Sequence, residues 1–86
     1  MENLSTKFLK HAKVRMKERG ASAKEVLLTI ETGEKFTAKF DRAGFRRNFP
    51  FGKTWQGKFY HVKQIEAYTV QEEKDLIIVT VIVKYF

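Results

Sequence analysis

The sequence predicts an α+β domain in which an N-terminal helical hairpin packs on a mostly antiparallel sheet of three or four strands. Three observations favour this fold. Apolar residues recur with a helical period as far as Gly33 and with a period of two after it. Glycines stand where two candidate helices would end. Turn residues separate the apolar runs of the second half, so the predicted order is α-α-β-β-β-β in one domain, residues 1–86.

The first helix is predicted over residues 5–19, starting at residue 5 or 6, and Gly20 ends it because glycine takes the left-handed conformation freely. At about 100° per residue, its lysines fall on one side and its apolar residues on the other. His11 and Arg15 lie on the border between these sides, and Arg19 falls inside the apolar arc. This placement favours an anion site where the helix meets the rest of the fold.

The second helix is predicted over residues 22–32. Ser22 and Glu25 have the spacing of a capping box, in which each side chain satisfies a backbone N–H of the other residue. Gly33 ends the helix. Because residues 20–21 alone join the two helices, we expect them to form a tight pair.

The sheet is predicted over residues 35–86. Residues 35–40 alternate between polar and apolar, and residues 41–44 have the composition of a hairpin turn. The strand after this turn contains Pro50, which lacks a backbone donor, so it is expected to be short or to lie at an edge. Residues 52–57, bounded by two glycines, are predicted to form a loop.

Two further strands complete the predicted sheet. A long strand starts at Lys58, with a bulge near Lys63–Gln64, where the apolar alternation changes phase. The final run, residues 76–86, is apolar on both faces, which is typical of an inner strand.

Composition narrows the class of protein. The chain has 86 residues, is 43% hydrophobic and has no cysteine, which indicates one domain without disulfides or thiolate metal ligands. No apolar run approaches the roughly 20 residues of a membrane span, and the first ten residues lack the apolar region of a signal peptide. We therefore expect a cytoplasmic protein without membrane contact.

The net charge of +7 is concentrated in two basic segments. Residues 7–19 carry six Lys and Arg against Glu18, and residues 35–63 carry eight against Asp41. If the fold brings the two segments together, they form one positive surface that attracts phosphate polymers. The alternative is a soluble protein of high isoelectric point without a polyanionic partner.

Several kinds of chemistry lack their residues. The two histidines have no second ligand at metal spacing, so no metal site is predicted. The glycine patterns of nucleotide-binding loops are missing, and no cofactor is predicted. The remaining set of His, Arg, Lys and Tyr suits metal-independent RNA cleavage, in which the 2′-hydroxyl attacks its own phosphate.

Three residues are the catalytic candidates for that reaction. His11 would serve as base or acid because histidine titrates near neutral pH, and Arg15, one turn further on, would hold the phosphate. Strand alternation puts His61 beside Lys63 on the face that also carries Phe59. The alternatives are structural or surface roles for both histidines.

Cations and aromatic residues alternate over residues 45–60, a pattern that suits single-stranded nucleic acid. Trp55, in its glycine-flanked segment, is the best candidate for stacking on a base, while most of the phenylalanines are expected in the core. Arg19 either joins this surface or bonds the carbonyls at its own helix end. The candidate nucleic-acid-binding residues are Arg19, Arg46, Arg47, Lys53, Trp55 and Lys63.

The first helix carries the pattern H-A-x-x-R-M-x-x-R-G, the second opens S-x-x-E-V, and a later strand reads V-T-V. This combination resembles a group of small prokaryotic domains of unknown function related to RelE/ParE-type toxins of toxin–antitoxin systems, with BrnT-like proteins as neighbours. One departure is Leu9, which stands where a Ser or Thr cap is expected. The matching residues are His11, Ala12, Arg15, Met16, Arg19, Gly20, Ser22, Glu25, Val26, Val79, Thr80 and Val81.

The resemblance implies a RelE-like fold, ribosome-dependent or free endoribonuclease activity against mRNA, and an acidic antitoxin that covers the positive face. Its relatives include gyrase poisons and inactive proteins, so the fold alone does not decide the activity. Two alternatives stay open: a nucleic-acid-binding module without catalysis, and an interaction domain for an acidic protein.

Overall fold

Two helices and five strands make up residues 5–86, the part of the chain that the structure, a computed structural model, describes. The predicted α+β class is confirmed, and the sheet has five strands rather than three or four. The predicted single domain, 1–86, includes residues 1–4, which lie outside the described residues. The elements are β1 (Ser5–Phe8), α1 (Lys10–Arg19), α2 (Ala23–Thr32), β2 (Glu34–Thr37), β3 (Ala43–Trp55), β4 (Lys58–Glu72) and β5 (Asp75–Tyr85).

The five strands form one mixed sheet in the order β1-β5-β4-β3-β2. β1 pairs with β5 in parallel, and the three other pairs are antiparallel. β5 lies between β1 and β4 and is therefore an inner strand, as its two apolar faces predicted.

The start of the first helix was predicted wrongly, because residues 5–8 form β1 instead of a helical turn. Leu9 precedes α1 with an extended backbone, offers no side-chain cap, and donates its N–H to the carbonyl of Ile78. Pairing of residues 5–8 with β5 satisfies the backbone groups that a longer helix would have satisfied, and the helix begins only after Leu9.

Both helices pack on the same face of the sheet. Ala12 and Met16 of α1 and Val26 of α2 are buried against Ile65 and Val81. Cross-strand partners share a face, so the pairs Ile65↔Val83 and Ala67↔Val81 define the side that the helices cover. No described helix covers the other side, which is called the open face below.

The helix pair is joined as predicted. Ser22 accepts a hydrogen bond from the Glu25 N–H at 3.1 Å, and the Glu25 carboxylate accepts from the Ser22 N–H at 3.0 Å, so the capping box is confirmed. Gly20, with φ +80°, ends α1 in the left-handed conformation.

The β3–β4 hairpin extends beyond the predicted strand ends. Residues 52–55, predicted as part of a loop, belong to β3, and Gln56–Gly57 make the turn. Gly52 lies in a bulge of β3 between Pro50 and Lys53. β2 pairs with β3 only as far as Arg46, so Pro50 lies where that side of β3 has no strand partner.

A bulge in β4 changes the face on which its side chains lie. His61 and Val62 both donate their backbone N–H to the carbonyl of Phe86, at 2.7 and 3.1 Å. As a result, Tyr60 and Lys63 face the helices while His61 stays on the open side. The predicted bulge at Lys63–Gln64 is therefore displaced towards the start of the strand, and His61 and Lys63 are on opposite sides instead of side by side.

Candidate nucleic-acid interface

The C-terminal end of α1 lies against the β3–β4 hairpin. Tyr85 donates its hydroxyl to the carbonyl of Arg19 at 2.7 Å, and the Trp55 ring stacks on the Tyr85 ring with centroids 5.2 Å apart. A Cβ at Gly20 would lie 2.9 Å from the Trp55 ring, so only glycine leaves space for this ring. The two basic segments of the sequence therefore meet at this point.

An aromatic cluster on the hairpin carries two lysines. Phe51 and Tyr60 both pack against Tyr85, with centroids 5.2 and 5.5 Å away. Lys53 Nζ lies 6.0 Å from the Phe51 centroid, and Lys58 Nζ lies 5.5 Å from the Tyr60 centroid. We call Phe51, Lys53, Trp55, Lys58, Tyr60 and Tyr85 the hairpin cluster. Within residues 5–86 neither of its lysines has an acidic partner.

Lys63 lies beneath this cluster rather than on its surface. Its Nζ donates to the carbonyl of Gly20 at 2.8 Å and to the Glu25 carboxylate at 2.9 Å. Burial raises the pKa of the Glu25 carboxyl. The hydrogen bonds from Lys63 and from the Ser22 backbone together lower it by more than burial raises it, so the pKa is lowered overall. A buried and neutralised ammonium group is poorly placed to reach a phosphate.

Three residues of α1 were predicted to bind nucleic acid or to act in catalysis, and each has a different environment in the structure. Arg19 is half-buried and donates from Nη1 to the Val81 carbonyl at 2.7 Å, so it caps the edge of β5 instead of its own helix end. Arg15 forms an exposed ion pair with Glu18 at 3.1 Å. His11 is exposed in the first turn of α1.

The structure does not bring the two histidines together. α1 runs along β5 from Ile78, which bonds Leu9 just before His11, while His61 bonds Phe86 just beyond the other end of β5. The Ile78 and Phe86 carbonyls are roughly 25 Å apart at about 3.3 Å per residue. His11 and Arg15 therefore share a helix without the third predicted catalytic residue, His61.

The two arginines of β3 that were predicted to bind nucleic acid both form hydrogen bonds within the protein. Arg47 donates to the Thr32 hydroxyl at 3.0 Å, and its guanidinium lies 4.7 Å from the Phe49 centroid. Arg46 lies on the open face and donates from Nε to the Glu66 carboxylate at 2.7 Å. Arg46 is therefore on the opposite side of the sheet from the hairpin cluster.

The open face carries a charged network that was not predicted from the sequence. The Glu66 side chain is only 3% exposed, accepts from the Tyr68 hydroxyl at 3.0 Å, and lies 3.7 Å from Lys84 Nζ. Burial raises the pKa of the Glu66 carboxyl, but the hydrogen bonds from Arg46 and Tyr68 lower it further than burial raises it. The carboxylate of Glu66, directly between the apolar Ile65 and Ala67, is the signal in the sequence that indicates this network.

Comparison with known protein families classifies the chain. The model of a family described as a domain of unknown function, DUF4258, matches residues 8–83. The chain belongs to the DUF4258 family. The predicted resemblance to a small domain-of-unknown-function family is thereby confirmed. No curated protein and no solved structure matches this DUF4258 domain.

Among residues 5–86, no group of three or more His, Asp or Glu side chains is placed to hold a metal ion. None of the helices in that range is long and apolar enough to cross a membrane.

Proposed function

We propose that this DUF4258 domain binds single-stranded RNA at the surface where the end of α1 meets the hairpin cluster. The observation that carries the proposal is the contact between Gly20 and the ring of Trp55, whose cross-strand partner in the hairpin is Lys58. This contact joins the two basic segments, which the sequence alone leaves separate.

The residue types at this surface suit a single strand. Ammonium groups neutralise phosphates, and aromatic rings stack on unpaired bases without requiring a particular sequence. Lys53 and Lys58 lie over aromatic rings and have no carboxylate partner among the described residues, so their charge is available. Exposed Lys13 and Lys17 add positive potential along α1.

Endoribonuclease activity, as expected of a RelE-like toxin, is the second part of the proposal. The resemblance of the helix motif supports it, together with a helical pair packed on one face of a sheet. His61 is remote, so His11 and Arg15 are the residues left to carry cleavage. The same resemblance supports an acidic antitoxin as the protein partner.

Binding is tested by fluorescence anisotropy with short labelled single-stranded RNA over a range of salt concentrations. The double variant Lys53→Ala/Lys58→Ala is expected to bind about tenfold more weakly and to reduce the salt slope by about 1.4, because two phosphate contacts are lost. Lys24→Ala/Lys35→Ala removes the same charge from exposed residues elsewhere and should bind as the wild type does. An equal loss in both double variants would mean that net charge alone decides binding.

Cleavage is tested by incubating the protein with RNA, and separately with translating ribosomes, in the presence of a chelator. His11→Ala is expected to abolish the product while binding persists. If the wild type and His11→Ala cleave equally, His11 is not the catalytic base or acid. If the wild type binds RNA and cleaves none, the domain is a binding module. Tight complex formation with an acidic protein, without salt-sensitive RNA binding, would favour the interaction-domain alternative.

A further inference from the structure

The open face of the sheet contains a cavity of about 450 Å³. It lies over β2, β4 and β5, and the turn between β2 and β3 closes one side of it. Most of the lining is apolar or aromatic, and the size falls within the range of small-molecule sites. The lining residues used in the argument are Phe36, Lys39, Phe40, Arg42, Tyr68 and Thr80.

The Phe36 and Tyr68 rings, which form two walls of the cavity, are held in place by several contacts. The Phe36 and Tyr68 rings meet edge to face with centroids 5.9 Å apart. A Cβ at Gly44 would collide with the Phe36 ring, so the glycine allows this ring to lie directly on β3. The Arg46 guanidinium lies 4.5 Å from the Phe36 centroid, and Glu66 fixes the Tyr68 hydroxyl. Two aromatic walls are therefore positioned before any ligand arrives.

Phe40, at the mouth of the cavity, has a left-handed backbone conformation, which is unfavourable for phenylalanine, and it is exposed to solvent. Its φ is +61° and that of Asp41 is +58°, a left-handed pair that usually selects Gly, Asn or Asp. Phe40 as a whole is 83% exposed, so packing within the described protein does not offset the unfavourable backbone. A large ring held in this way gains buried surface only when something else covers it.

Two cations stand beside this ring. The Arg42 guanidinium lies 5.9 Å from the Phe40 centroid, and the exposed Lys39 also lines the cavity. Neither cation has a carboxylate partner within the described range. Asp41, the acidic residue of this turn, does not line the cavity; it lines a neighbouring groove that Arg42 shares, without forming an ion pair with Arg42. The mouth of the cavity therefore offers an exposed ring together with unneutralised positive charge.

We propose that this cavity binds a planar aromatic ring that carries an anionic group, the chemistry of a nucleoside monophosphate or an aromatic carboxylate. The ligand ring packs between Phe40 and the walls formed by Phe36 and Tyr68. Its anionic group pairs with Arg42 and Lys39. The site is on the opposite side of the sheet from the hairpin cluster, so it does not depend on the proposed RNA surface.

The test is a titration of isotope-labelled protein followed by amide NMR. Adenosine monophosphate and indole-3-carboxylate are the two probes for the two sources of the ligand, while adenosine and inorganic phosphate supply the ring alone and the charge alone. At least one aromatic anion should shift the amides of Phe36, Arg42, Tyr68 and Thr80. Adenosine and phosphate should each bind at least about tenfold more weakly.

Two variants and two matched controls complete the design. Phe40→Ala and Arg42→Gln should each weaken binding at least about fivefold while the spectrum stays that of a folded protein. Phe59→Ala removes another exposed ring, and Lys24→Gln another exposed cation, and both should bind as the wild type does. Shifts confined to the hairpin cluster, no binding of either aromatic anion, or wild-type affinity in Phe40→Ala would each overturn the proposal.

Discussion

Lys63 and Glu25 form an ion pair under the turn between α1 and α2, with Nζ 2.9 Å from Oε2. The same ammonium group bonds the Gly20 carbonyl, and the Lys63 side chain is only 8% exposed. The pair therefore attaches the helical hairpin to β4. Because Trp55 packs on Gly20, this attachment also fixes the geometry of the proposed RNA surface.

Lys63→Met should lower the free energy of unfolding by about 2–4 kcal/mol, because it leaves a partly buried carboxylate and the Gly20 carbonyl without their donor. Chemical denaturation measures this loss, and exposed Lys24→Met is the control. RNA affinity of the folded variant should stay within about twofold of the wild type. A variant of normal stability that no longer binds RNA would instead assign Lys63 to the interface.

Stability should also fall in acid. The pKa values of Glu25 and Glu66 are both lowered from 4.5 by hydrogen bonds that outweigh burial. Their stabilising contribution is therefore present above pH 4.5 and is lost as the pH falls through the folded-state values. Glu25→Gln and Glu66→Gln should each flatten the decline in unfolding free energy below about pH 4.5 in denaturation experiments at several pH values.

The control for the acid experiment is Glu31→Gln, which changes an exposed carboxylate on α2. It should leave the pH profile of stability as it is in the wild type. A profile that stays unchanged in both the Glu25 and the Glu66 variants would show that neither network contributes to acid sensitivity.

Local signals account for the parts of the fold that the sequence predicted correctly. The capping box of Ser22 and Glu25 lies within one turn, and the stop at Gly20 depends on that residue's own backbone freedom. β1 could not be predicted in this way, because residues 5–8 become a strand only through pairing with Asp75–Ile78, far away in the sequence. Helical periodicity alone carries no information about such a partner.

The candidate site was predictable only in part, because local signals identify residue types while their packing depends on residues distant in the sequence. The residue type and flanking glycines of Trp55 indicate a stacking role, whereas its packing on Gly20 and Tyr85 depends on the tertiary fold. The bulge at His61 reverses the expected face of Lys63, and strict alternation along a strand cannot anticipate it. One extra residue in the strand thus separates a predicted surface lysine from its neighbouring histidine.

Gly20 and Gly57 provide a matched pair for testing how Trp55 is held. Both glycines have φ near the left-handed region, +80° and +84°, so alanine is strained at either position by about 1–2 kcal/mol. At Gly57 nothing lies within 4 Å of an added Cβ, whereas at Gly20 the Cβ would lie 2.7 Å from the Tyr85 hydroxyl and 2.9 Å from the Trp55 ring. Gly20→Ala should therefore cost at least about 1 kcal/mol more than Gly57→Ala in thermal or chemical denaturation.

The two alanine variants should also differ in RNA affinity. The Cβ at position 20 displaces Trp55 and the lysines beside it, so Gly20→Ala should weaken binding to single-stranded RNA severalfold, while Gly57→Ala leaves it unchanged. Tryptophan fluorescence should shift in Gly20→Ala alone, because Trp55 is the single tryptophan of the chain. Equal losses of stability with unchanged fluorescence in both variants would show that Gly20 matters for its backbone alone and that its contact with Trp55 does not hold the surface together.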